Sequence, residues 1–490
     1  PPRHLHSEIP LSLHDALPIS LTSQSVMTPT WIKLDSSVNG TSEAWGVDVD
    51  EQGHIYWATS NNQLGQGLDI YLHKFDFGGL PSWNQPVLYS DEGTQHAYVL
   101  SVTDSAIFVG GRACPGLITT CDMLLLKLDP EDGNLVWEAT IDFAASGYEE
   151  VDGLEIKEDG IYCAGWCQEL HPAIYRSDLG LWKVNHDGTT AWTNYLGMEN
   201  TAEHQDGHFV VDDEFIFSAG LWGGTGLANL YNGYAFLGKF SKTDGSMIDT
   251  TLFGSQSDRF QDIENALGMT SDGEFLYVTG YATPKSANDW QIFVSKFDKN
   301  LNQIWYIDWG GTETESARAI AVKDDIIYVA GLSESTSIIS GDGRDALLLK
   351  LDTSGNVLSY ETFGGTKIES FQDIVINKES IYLTGTIESD NGNKQSMLVA
   401  LENEIISSLS GDDEESVKIF PNPAKGIVNL DFLDYPKNIR VYNLDGGNVT
   451  CRMEQKNETS LQIELPSMGV FIFEIIYNDF RVYKKIVNLY

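Results

Sequence analysis

The chain has 490 residues, 42% of them hydrophobic and 11% aromatic, and a formal net charge of −41 at pH 7. This composition supplies a packed core and excludes a globally disordered chain. The acidic balance excludes a nucleic-acid binder, which needs clustered Lys and Arg, and argues against adhesion to an anionic membrane by charge. The sequence contains no run of 18 apolar residues, so it predicts no transmembrane helix.

The first twenty residues differ in character from the rest of the chain. They read PPRHLHSEIPLSLHDALPIS, without the basic stretch and following apolar stretch of a signal peptide. The string LSLHDALPIS resembles one reading frame of a common sequencing-adapter oligonucleotide. We therefore interpret residues 1–20 as an assembly artefact that replaces the natural N-terminus. The alternative is a natural disordered tail.

A four-strand pattern recurs across residues 30–404. Segments of the form IYVAG return about every 54 residues and begin at Ile55, Ile107, Ile161, Ile216, Leu276, Ile327 and Ile381. Each is followed by a strand of the form DxxLxKxD and then by a strand that often opens with Trp, and an apolar strand precedes each. Gly, Asp and Asn turns separate the strands. Seven such repeats predict an all-β fold, a seven-bladed β-propeller, because radial repetition leaves few exposed sheet edges.

The seventh repeat has three strands, while an extra strand precedes the first repeat. After SMLVALE the chain enters a polar, acidic stretch, and the early strand TWIKLD places Trp31 where other repeats have their opening Trp. We expect Trp31–Leu34 to lie alongside Met397–Leu401 and to close the ring with an N-terminal strand. The alternative is an open β-solenoid with capped ends.

These repeats resemble a known family. The IYVxG and DxxLxKxD strands, with FGG at Phe363–Gly365 and WGG at Trp309–Gly311, resemble the SBBP repeats of seven-bladed propellers. The resemblance covers residues 30–404 and implies the fold rather than an activity. The string LDPEDGNLVWE is also similar to quinoprotein repeats, but the adjacent Cys pair that contacts the quinone cofactor in those enzymes is absent. We therefore expect no organic cofactor.

Five cysteines fit an extracellular protein. Cys114 and Cys121 bracket CPGLITTC, and we expect a disulfide there in an oxidising compartment. Cys163 and Cys167 are four residues apart on or beside a strand, which is about 13 Å if extended and too far for a bond. We expect them to be buried or free thiols. No zinc-ligand spacing occurs in the sequence, so no metal site is assigned.

Four aspartates recur near the start of the predicted innermost strands, in the strings VDG, QDG, QDI and QDI. They are Asp152, Asp206, Asp262 and Asp373. Because these strands converge at the central channel, we expect the carboxylates at matching positions around its mouth, where they are candidates to bind Ca²⁺ or a cationic group. The alternative is that each Asp caps its own turn by accepting backbone N–H groups.

Aromatic residues are frequent in the predicted loops after the second strand of repeats three and four. They are Trp166, Tyr175, Trp222, Tyr231 and Tyr234. Exposed rings suit stacking on sugar faces or on apolar peptide groups, and loops on a rigid scaffold commonly carry binding sites. The alternative is that these rings pack between blades.

The C-terminal residues form a separate module. After the acidic linker at residues 405–415, residues 416–490 show alternating apolar residues and turns, which predict a small Ig-like β-sandwich. Pro421–Asn422–Pro423, the VYNLDGG turn with Gly446 and the LPSMGVFIF strand with Gly469 resemble, in order, the type A C-terminal sorting domain of the type IX secretion system. The resemblance implies export across the outer membrane of a Bacteroidetes-type bacterium, and a secreted or surface location. The alternative is an ordinary adhesive Ig-like domain.

Three functions are compatible with the sequence. We favour a non-enzymatic, secreted or surface-attached propeller, a monomer that binds a glycan, peptide or protein partner, because the sequence shows no compact catalytic triad or metal motif. The alternative is an exported polysaccharide hydrolase or lyase, with the four aspartates and His204 as acid–base candidates. A third hypothesis is a structural spacer without a specific ligand.

Overall fold

The chain divides into two units, Pro1–Glu404 and Ile405–Tyr490. The computed structural model describes residues 24–36, 41–62, 67–91, 93–115, 120–143, 147–171, 174–196, 203–204, 209–222, 234–254, 264–283, 289–339, 343–365, 367–377, 380–389, 392–402, 417–420, 427–432, 436–443, 449–457, 459–466, 469–476 and 481–488. The predicted artefact at residues 1–20 and the linker at residues 405–415 lie outside these ranges.

The first unit begins with two short strands and continues with three antiparallel sheets, here called sheets 1–3. The short strands are β1 (Gln24–Val26) and β2 (Trp31–Asp35). Sheet 1 contains β3 (Ser42–Val49), β4 (Ile55–Asn61), β5 (Asp69–Phe75) and β6 (Val87–Tyr89). Sheet 2 contains β7 (Thr94–Thr103), β8 (Ala106–Cys114), β9 (Asp122–Leu128) and β10 (Leu135–Ile141). Sheet 3 contains β11 (Gly147–Lys157), β12 (Gly160–His171), β13 (Ile174–Val184) and β14 (Thr190–Leu196).

Sheets 4–7 follow the same order. Sheet 4 contains β15 (Glu203–His204), β16 (Val210–Val211), β17 (Phe215–Trp222), β18 (Tyr234–Ser241) and β19 (Met247–Phe253). Sheet 5 contains β20 (Glu264–Ser271), β21 (Phe275–Ala282), β22 (Gln291–Asp298) and β23 (Gln303–Trp309). Sheet 6 contains β24 (Glu315–Lys323), β25 (Ile326–Ser333), β26 (Asp345–Asp352) and β27 (Val357–Phe363), with β1 added in parallel to β27. Sheet 7 contains β28 (Glu369–Asn377), β29 (Ser380–Glu388) and β30 (Lys394–Glu402), and β2 is its fourth strand.

The burial of each strand explains its pattern of apolar and polar residues. The IYVxG strands lie second in each sheet and are covered on both faces; all seven residues of β4, for example, are buried. A strand with two covered faces is continuously apolar rather than alternating. The outermost strands are more exposed, and β10 alternates between exposed and half-buried residues. The burial pattern of each repeat therefore accounts for the all-β fold with seven four-stranded antiparallel sheets.

The recurring Tyr, Lys and Trp join each sheet to the next. The Lys of the third strand lies 4.7–5.9 Å from the ring of the second-strand Tyr or Phe in sheets 1–6. Where a fourth-strand Trp is present, its ring lies 5.9–6.3 Å from the same second-strand ring. The indole N–H of each such Trp donates to a backbone carbonyl in the turn of the following sheet, at 2.9–3.3 Å.

The turn that receives each Trp contains a glycine with positive φ. Gly188 has φ 88° and lies against Trp137, and Gly245 has φ 71° and lies against Trp192. A Cβ at Gly245 would come within 2.6 Å of the indole. Glycine meets both demands, because it adopts positive φ without strain and leaves room for the ring.

Strand β2 occupies the place of a fourth strand in sheet 7. It pairs with β30 in antiparallel register, with Trp31 opposite Ala400 and Leu34 opposite Met397. Trp31 also makes the repeat's usual contacts, because its N–H donates to the carbonyl of Phe77 in sheet 1 at 3.3 Å. Sheets 7 and 1 share a core cluster, and the backbone N–H of Val47 donates to Asp373 Oδ2 across it at 3.1 Å.

The second unit contains two antiparallel sheets. One has the order β31 (Val417–Phe420), β32 (Ile427–Phe432), β35 (Ser460–Glu464), β34 (Arg452–Asn457), and the other the order β33 (Asn438–Asn443), β36 (Gly469–Ile476), β37 (Arg481–Asn488). Val441 and Ile475 of the smaller sheet share one core cluster with Val428, Leu430 and Ile463 of the larger sheet. Each of the two sheets thus covers one face of the other.

Candidate functional site

Each described innermost strand carries a β-bulge at the same place in the repeat. A register shift by one residue occurs in β3, β7, β11, β20, β24 and β28. The extra residues, here called the bulge residues, are Trp45, Tyr98, Asp152, Leu267, Arg318 and Gln372. The corresponding part of sheet 4 lies outside the described residues. A bulge redirects one side chain away from the two sheet faces, and bulges are frequent next to functional sites.

Several bulge residues meet in a cluster of aromatic rings and guanidinium groups, here called the bulge cluster. It comprises Trp45, Tyr98, Arg112, Tyr148 and Arg318. The Trp45 and Tyr98 rings meet edge to face with centroids 5.7 Å apart. Arg318 Cζ lies 5.2 Å from the Trp45 ring centroid. Arg112 Cζ lies 5.5 Å from the ring of Tyr98 and 5.8 Å from that of Tyr148. Residues of sheets 1, 2, 3 and 6 therefore converge, and all five side chains are half-buried.

An ion pair and a neutral histidine border the bulge cluster. Arg112 Nη1 donates to Glu150 Oε2 at 2.9 Å, with the two side chains only 21% and 10% exposed. His96 stacks on Tyr98 at 5.5 Å. Burial, with the positive charge of Arg112 nearby, lowers the pKa of His96 to about 3, so its imidazole is neutral at physiological pH. Burial and the charge of Glu150 raise the pKa of Tyr98 well above its usual value, so its hydroxyl stays protonated.

Buried polar atoms in and around the bulge cluster have unused hydrogen-bonding capacity. Trp45 Nε1, Arg112 Nε, His96 Nδ1 and Gln372 Oε1 are inaccessible to solvent, and within the described part of the chain no hydrogen-bond partner reaches them. Buried polar groups are nearly always hydrogen-bonded, so exceptions of this kind point to an external partner. Both donors and an acceptor are therefore unsatisfied by the described residues.

The other end of the innermost strands surrounds a cavity of ≈510 Å³, here called the central cavity. Residues from the ends of the innermost strands of all seven sheets line it. Its polar groups are largely paired: Asp48 Oδ2 accepts from the N–H of Val102 at 2.7 Å, and Lys299 Nζ lies 3.0 Å from Asp212 Oδ2. Lys157 Nζ similarly lies 3.0 Å from Glu155 Oε2. The first contact joins sheet 1 to sheet 2, the second joins sheet 4 to sheet 5, and the third lies within β11.

The predicted carboxylate ring is not assembled from the described aspartates, and the expectation that they occupy matching positions is wrong for the two that can be compared. Asp152 is a bulge residue in the middle of β11, whereas Asp373 follows the bulge in β28 and pairs with Thr384. A one-residue offset sends a strand side chain to the opposite face. Asp373 accepts the N–H groups of Val47 and Ile374, and Asp206 and Asp262 lie outside the described residues.

The predicted aromatic loop residues lie largely on strands. Trp166 is in β12, Tyr175 in β13, Trp222 at the end of β17 and Tyr234 at the start of β18. The β12–β13 hairpin extends beyond the usual length of the repeat and carries Tyr175 into a strand. Trp222 packs edge to face on Phe236 of the same sheet at 5.7 Å and against the core cluster that sheets 3 and 4 share, which matches the alternative of packing between blades. Tyr234 is 52% exposed and Trp166 is half-buried. The Tyr175 side chain and all of Tyr231 lie outside the described residues.

The disulfide lies beside the bulge cluster. Cys114 and Cys121 are bonded, and the backbone N–H of Cys121 donates to the carbonyl of Gly147 at 2.9 Å while its carbonyl accepts from Glu149. This places Cys121 opposite Tyr148 at the start of β11. Cys163 and Cys167 are free and buried, and burial raises the pKa of both thiols.

The arginines and the aromatic bulge residues were not among the sequence candidates. For Trp45, Tyr98 and Arg318 the signal is a position in the repeat, nine or ten residues before the IYVxG strand, at which residue type varies. No group of three His, Cys, Asp or Glu side chains in the described ranges is placed to hold a metal ion. Nor does the described part of the chain contain a helix long and apolar enough to cross a membrane.

Comparison with solved structures finds β-propeller-like neighbours of low similarity. An α-L-arabinofuranosidase from Fusarium graminearum, in complex with an iminosugar inhibitor, has a TM-score of 0.43 at 7% identity, over 76% of this chain and 97% of that chain. The full extracellular region of plexin A4 has a TM-score of 0.43 at 9% identity, over 92% and 67%. A subtype N10 neuraminidase-like protein from a little yellow-shouldered bat isolate has a TM-score of 0.38 at 9% identity, over 76% and 98%.

Sequence comparison gives a definite result for the C-terminal unit. No curated protein matches the chain significantly. Residues 418–488 match the family described as the secretion system C-terminal sorting domain. The predicted motif residues Pro421, Asn422, Pro423 and Gly446 fall within this match, although their positions in space lie outside the described residues. The chain therefore carries a type IX sorting domain and is secreted to the cell surface or the extracellular space.

Proposed function

We propose that this protein is an exported, non-catalytic binding protein whose first unit is a closed seven-bladed propeller of the SBBP type. In this proposal residues 30–404 form the propeller, residues 405–415 a linker, and residues 416–490 an Ig-like sorting domain of a Bacteroidetes-type bacterium. The protein acts as a monomer, and its ligand is a saccharide chain that binds at the bulge cluster.

Closure of the ring is supported by the contacts between sheets 7 and 1. The indole of Trp31 reaches the carbonyl of Phe77 in the way that Trp83, Trp137, Trp192 and Trp305 reach the next sheet. Sheet 6 offers a second argument. Its fourth strand has Ser359 opposite Lys350, where sheets 2, 3 and 5 have Trp. A Trp there would have no turn to contact, because the fourth strand of sheet 7 is β2 and comes from the start of the chain.

The observation that carries the binding site is the convergence at the bulge cluster of aromatic rings, guanidinium groups and buried donors that lack described partners. Aromatic surface with a few convergent polar groups is typical of small-ligand sites. Sugars present both apolar C–H faces and hydroxyl groups, so they match rings such as Trp45 and Tyr98 beside donors such as Arg112. An exported protein meets polysaccharides at the cell surface, which agrees with this ligand.

The ion pair between Arg112 and Glu150 favours binding over catalysis. A general acid for glycoside cleavage must be free to donate a proton to the leaving oxygen, whereas Glu150 is engaged by Arg112 at 2.9 Å. Asp152 is a second carboxylate at the bulge cluster. The alternative, a hydrolase or lyase, would require Asp152 to act with a second carboxyl group across the bound saccharide.

A glycan-array experiment with the full chain tests this proposal, run with Ca²⁺ and with EDTA, alongside a reducing-end assay on the bound polysaccharides. We expect binding without turnover, and at least tenfold weaker binding by Trp45→Ala. Lys157→Ala, at the central cavity, is the matched control and should bind like the unmodified protein. Turnover that disappears in Asp152→Asn would establish the enzyme instead, and neither binding nor turnover would favour the spacer. Binding of peptides alone would exclude the saccharide.

A further inference from the structure

The bulge cluster contains a positive charge that has no counter-ion among the described residues. The protein is strongly acidic, with 71 Asp and Glu against 30 Lys and Arg. Most described cations in the first unit pair with a carboxylate or a backbone carbonyl: Arg112 with Glu150, and Arg344 with Glu334 at 2.9 Å. Arg318 differs, because its only described side-chain partner is the Trp45 ring. In a chain with an excess of carboxylates, a guanidinium group without a carboxylate partner is unusual.

The surroundings of Arg318 favour an anion. Its side chain is half-buried and its guanidinium lies over an indole face, which lowers its hydration. A partly desolvated guanidinium without a counter-ion is costly, and the cost is removed when a carboxylate or sulfate binds. Trp45 Nε1 is a buried N–H donor without a described partner on the same ring that Arg318 covers. Arg318 and the indole N–H of Trp45, which come from two sheets, are thus neighbouring donors that no described acceptor uses.

The opposite side of the bulge cluster has the reverse charge. Glu150 neutralises Arg112, and Asp152 adds a negative charge that acts on Tyr98. A second anionic group would be repelled there, whereas sugar hydroxyl groups can donate to Asp152. The bulge cluster is therefore polar from end to end. Its Arg318 side carries a positive charge without a described counter-ion, and its Asp152 side carries a negative charge.

We infer that the ligand is an acidic saccharide whose carboxylate or sulfate binds Arg318 and the indole N–H of Trp45, with its hydroxyl groups toward Asp152. This inference rests on the proposed function and specifies its ligand class. It also makes Arg318 the residue that determines specificity, because removal of the guanidinium leaves the aromatic rings and the other polar groups in place.

A matched pair of ligands tests the inference on the full chain by calorimetry. The probes are a uronate oligosaccharide and the same oligosaccharide after reduction of its carboxylates to alcohols, with a sulfated oligosaccharide as a third. We expect the acidic forms to bind about tenfold more tightly, since hydrogen bonds to charged groups contribute more than neutral ones. The preference should shrink as salt rises. Arg318→Gln should remove the preference while neutral binding persists, and Arg344→Gln is the control that should keep it.

The possible outcomes separate the two proposals. Equal affinity for the uronate and its reduced form would overturn the inference about the anion and leave saccharide binding intact. A preference that survives in a folded Arg318→Gln protein, judged by its unfolding temperature, would also overturn it. Absence of binding to every saccharide would remove the proposed function itself. The ligand pair and the salt series use the unmodified protein, so the test does not depend on whether the variant folds.

Discussion

The two ends of the innermost strands differ in how their polar groups are satisfied. At the central cavity, Asp48 and Asp373 accept backbone N–H groups from the neighbouring sheet, and lysines pair with carboxylates. At the bulge cluster, the indole N–H of Trp45 and the Nε of Arg112 lack described partners. In the six sheets whose innermost strand is described at both ends, the same strands build the two ends, so the difference does not come from the fold.

If the proposed function is correct, this difference separates residues that join neighbouring sheets from residues that bind the ligand. A buried carboxylate that accepts two N–H groups stabilises the folded chain, and its loss is costly. A half-buried ring or guanidinium with unpaired neighbours contributes less to folding and more to recognition. Similar side chains therefore have different roles at the two ends, and substitutions at each end should affect different measurements.

The largest expected effect is on stability, at the central cavity. Asp373→Ala leaves the N–H groups of Val47 and Ile374 without their carboxylate acceptor where sheets 7 and 1 meet. We expect a loss of about 3 kcal/mol in the free energy of unfolding, measured by urea denaturation, with unchanged ligand affinity. Trp45→Ala should reduce affinity at least tenfold and should cost less stability than Asp373→Ala, because its ring is only half-buried. The distinction between the two ends fails if Asp373→Ala abolishes binding in a folded protein.

The next largest effect, also on stability, tests whether the contact between a fourth-strand residue and the turn of the following sheet depends on both partners. Sheet 4 has Asp249 opposite Lys239 where other repeats have Trp, and the turn of sheet 5 has Leu301 where others have glycine. Leu301 has φ 64° and is only 6% exposed, in the core between these sheets. We conclude that the Leu301 side chain fills the space of the missing indole.

Two substitutions should therefore compensate each other. Leu301→Gly relieves the positive φ but empties the space, for a net loss of about 1–2 kcal/mol. Asp249→Trp alone should clash with Leu301, and the double variant should recover most of both losses, as a double-mutant cycle of unfolding free energies would show. Gly245→Leu is the control and should be strongly destabilising, because Trp192 already occupies its space. Simple additivity of the two changes would contradict this interpretation.

The sequence predicts the strands and the turns well, because the repeat encodes them. The Tyr, Lys, Trp and Gly positions recur about every 54 residues, and each makes the same kind of contact within its sheet or with the following sheet. The pairing of Trp31 with the last repeat follows from the same count of strands.

The sequence predicts the site poorly, for a reason of register. The letters QD and VD align Asp373 with Asp152, but the bulge moves these side chains to different places. A bulge has no fixed residue type, so Trp45, Tyr98 and Arg318 share no letters that identify them. Arg318 and Trp45 are also 273 positions apart in the numbering, and only the assembled sheets bring them together.

The smallest effect tests whether every unpaired polar atom at the bulge end implies a ligand. Glu315 and Glu369 occupy equivalent positions, three residues before a bulge, but their neighbours differ. Glu315 has donors: Gln291 lies beside it, and Ser333 and the N–H of Gly311 donate to it at 2.7 Å. At Glu369 the corresponding neighbour is Asp345, another buried carboxylate. Burial, and then the charge of Asp345, raise the pKa of Glu369 to about 7. An internal carboxyl pair thus explains Glu369 without a ligand.

The pH dependence follows from this raised pKa. A carboxyl group with a folded pKa above its unfolded value stabilises the protein when protonated, so its contribution is complete below about pH 4 and is lost as pH rises through about 7. Glu369→Gln mimics the protonated form and should raise the unfolding temperature at pH 8, on the order of 1–2 °C, with little change at pH 5. Burial also raises the pKa of Glu315, but the groups that donate to this carboxylate oppose the rise, so Glu315→Gln should gain less stability at pH 8 than Glu369→Gln. A ligand that protects Glu369 from titration would contradict this account, since it would place the carboxyl pair in the binding site rather than in the junction between sheets 6 and 7.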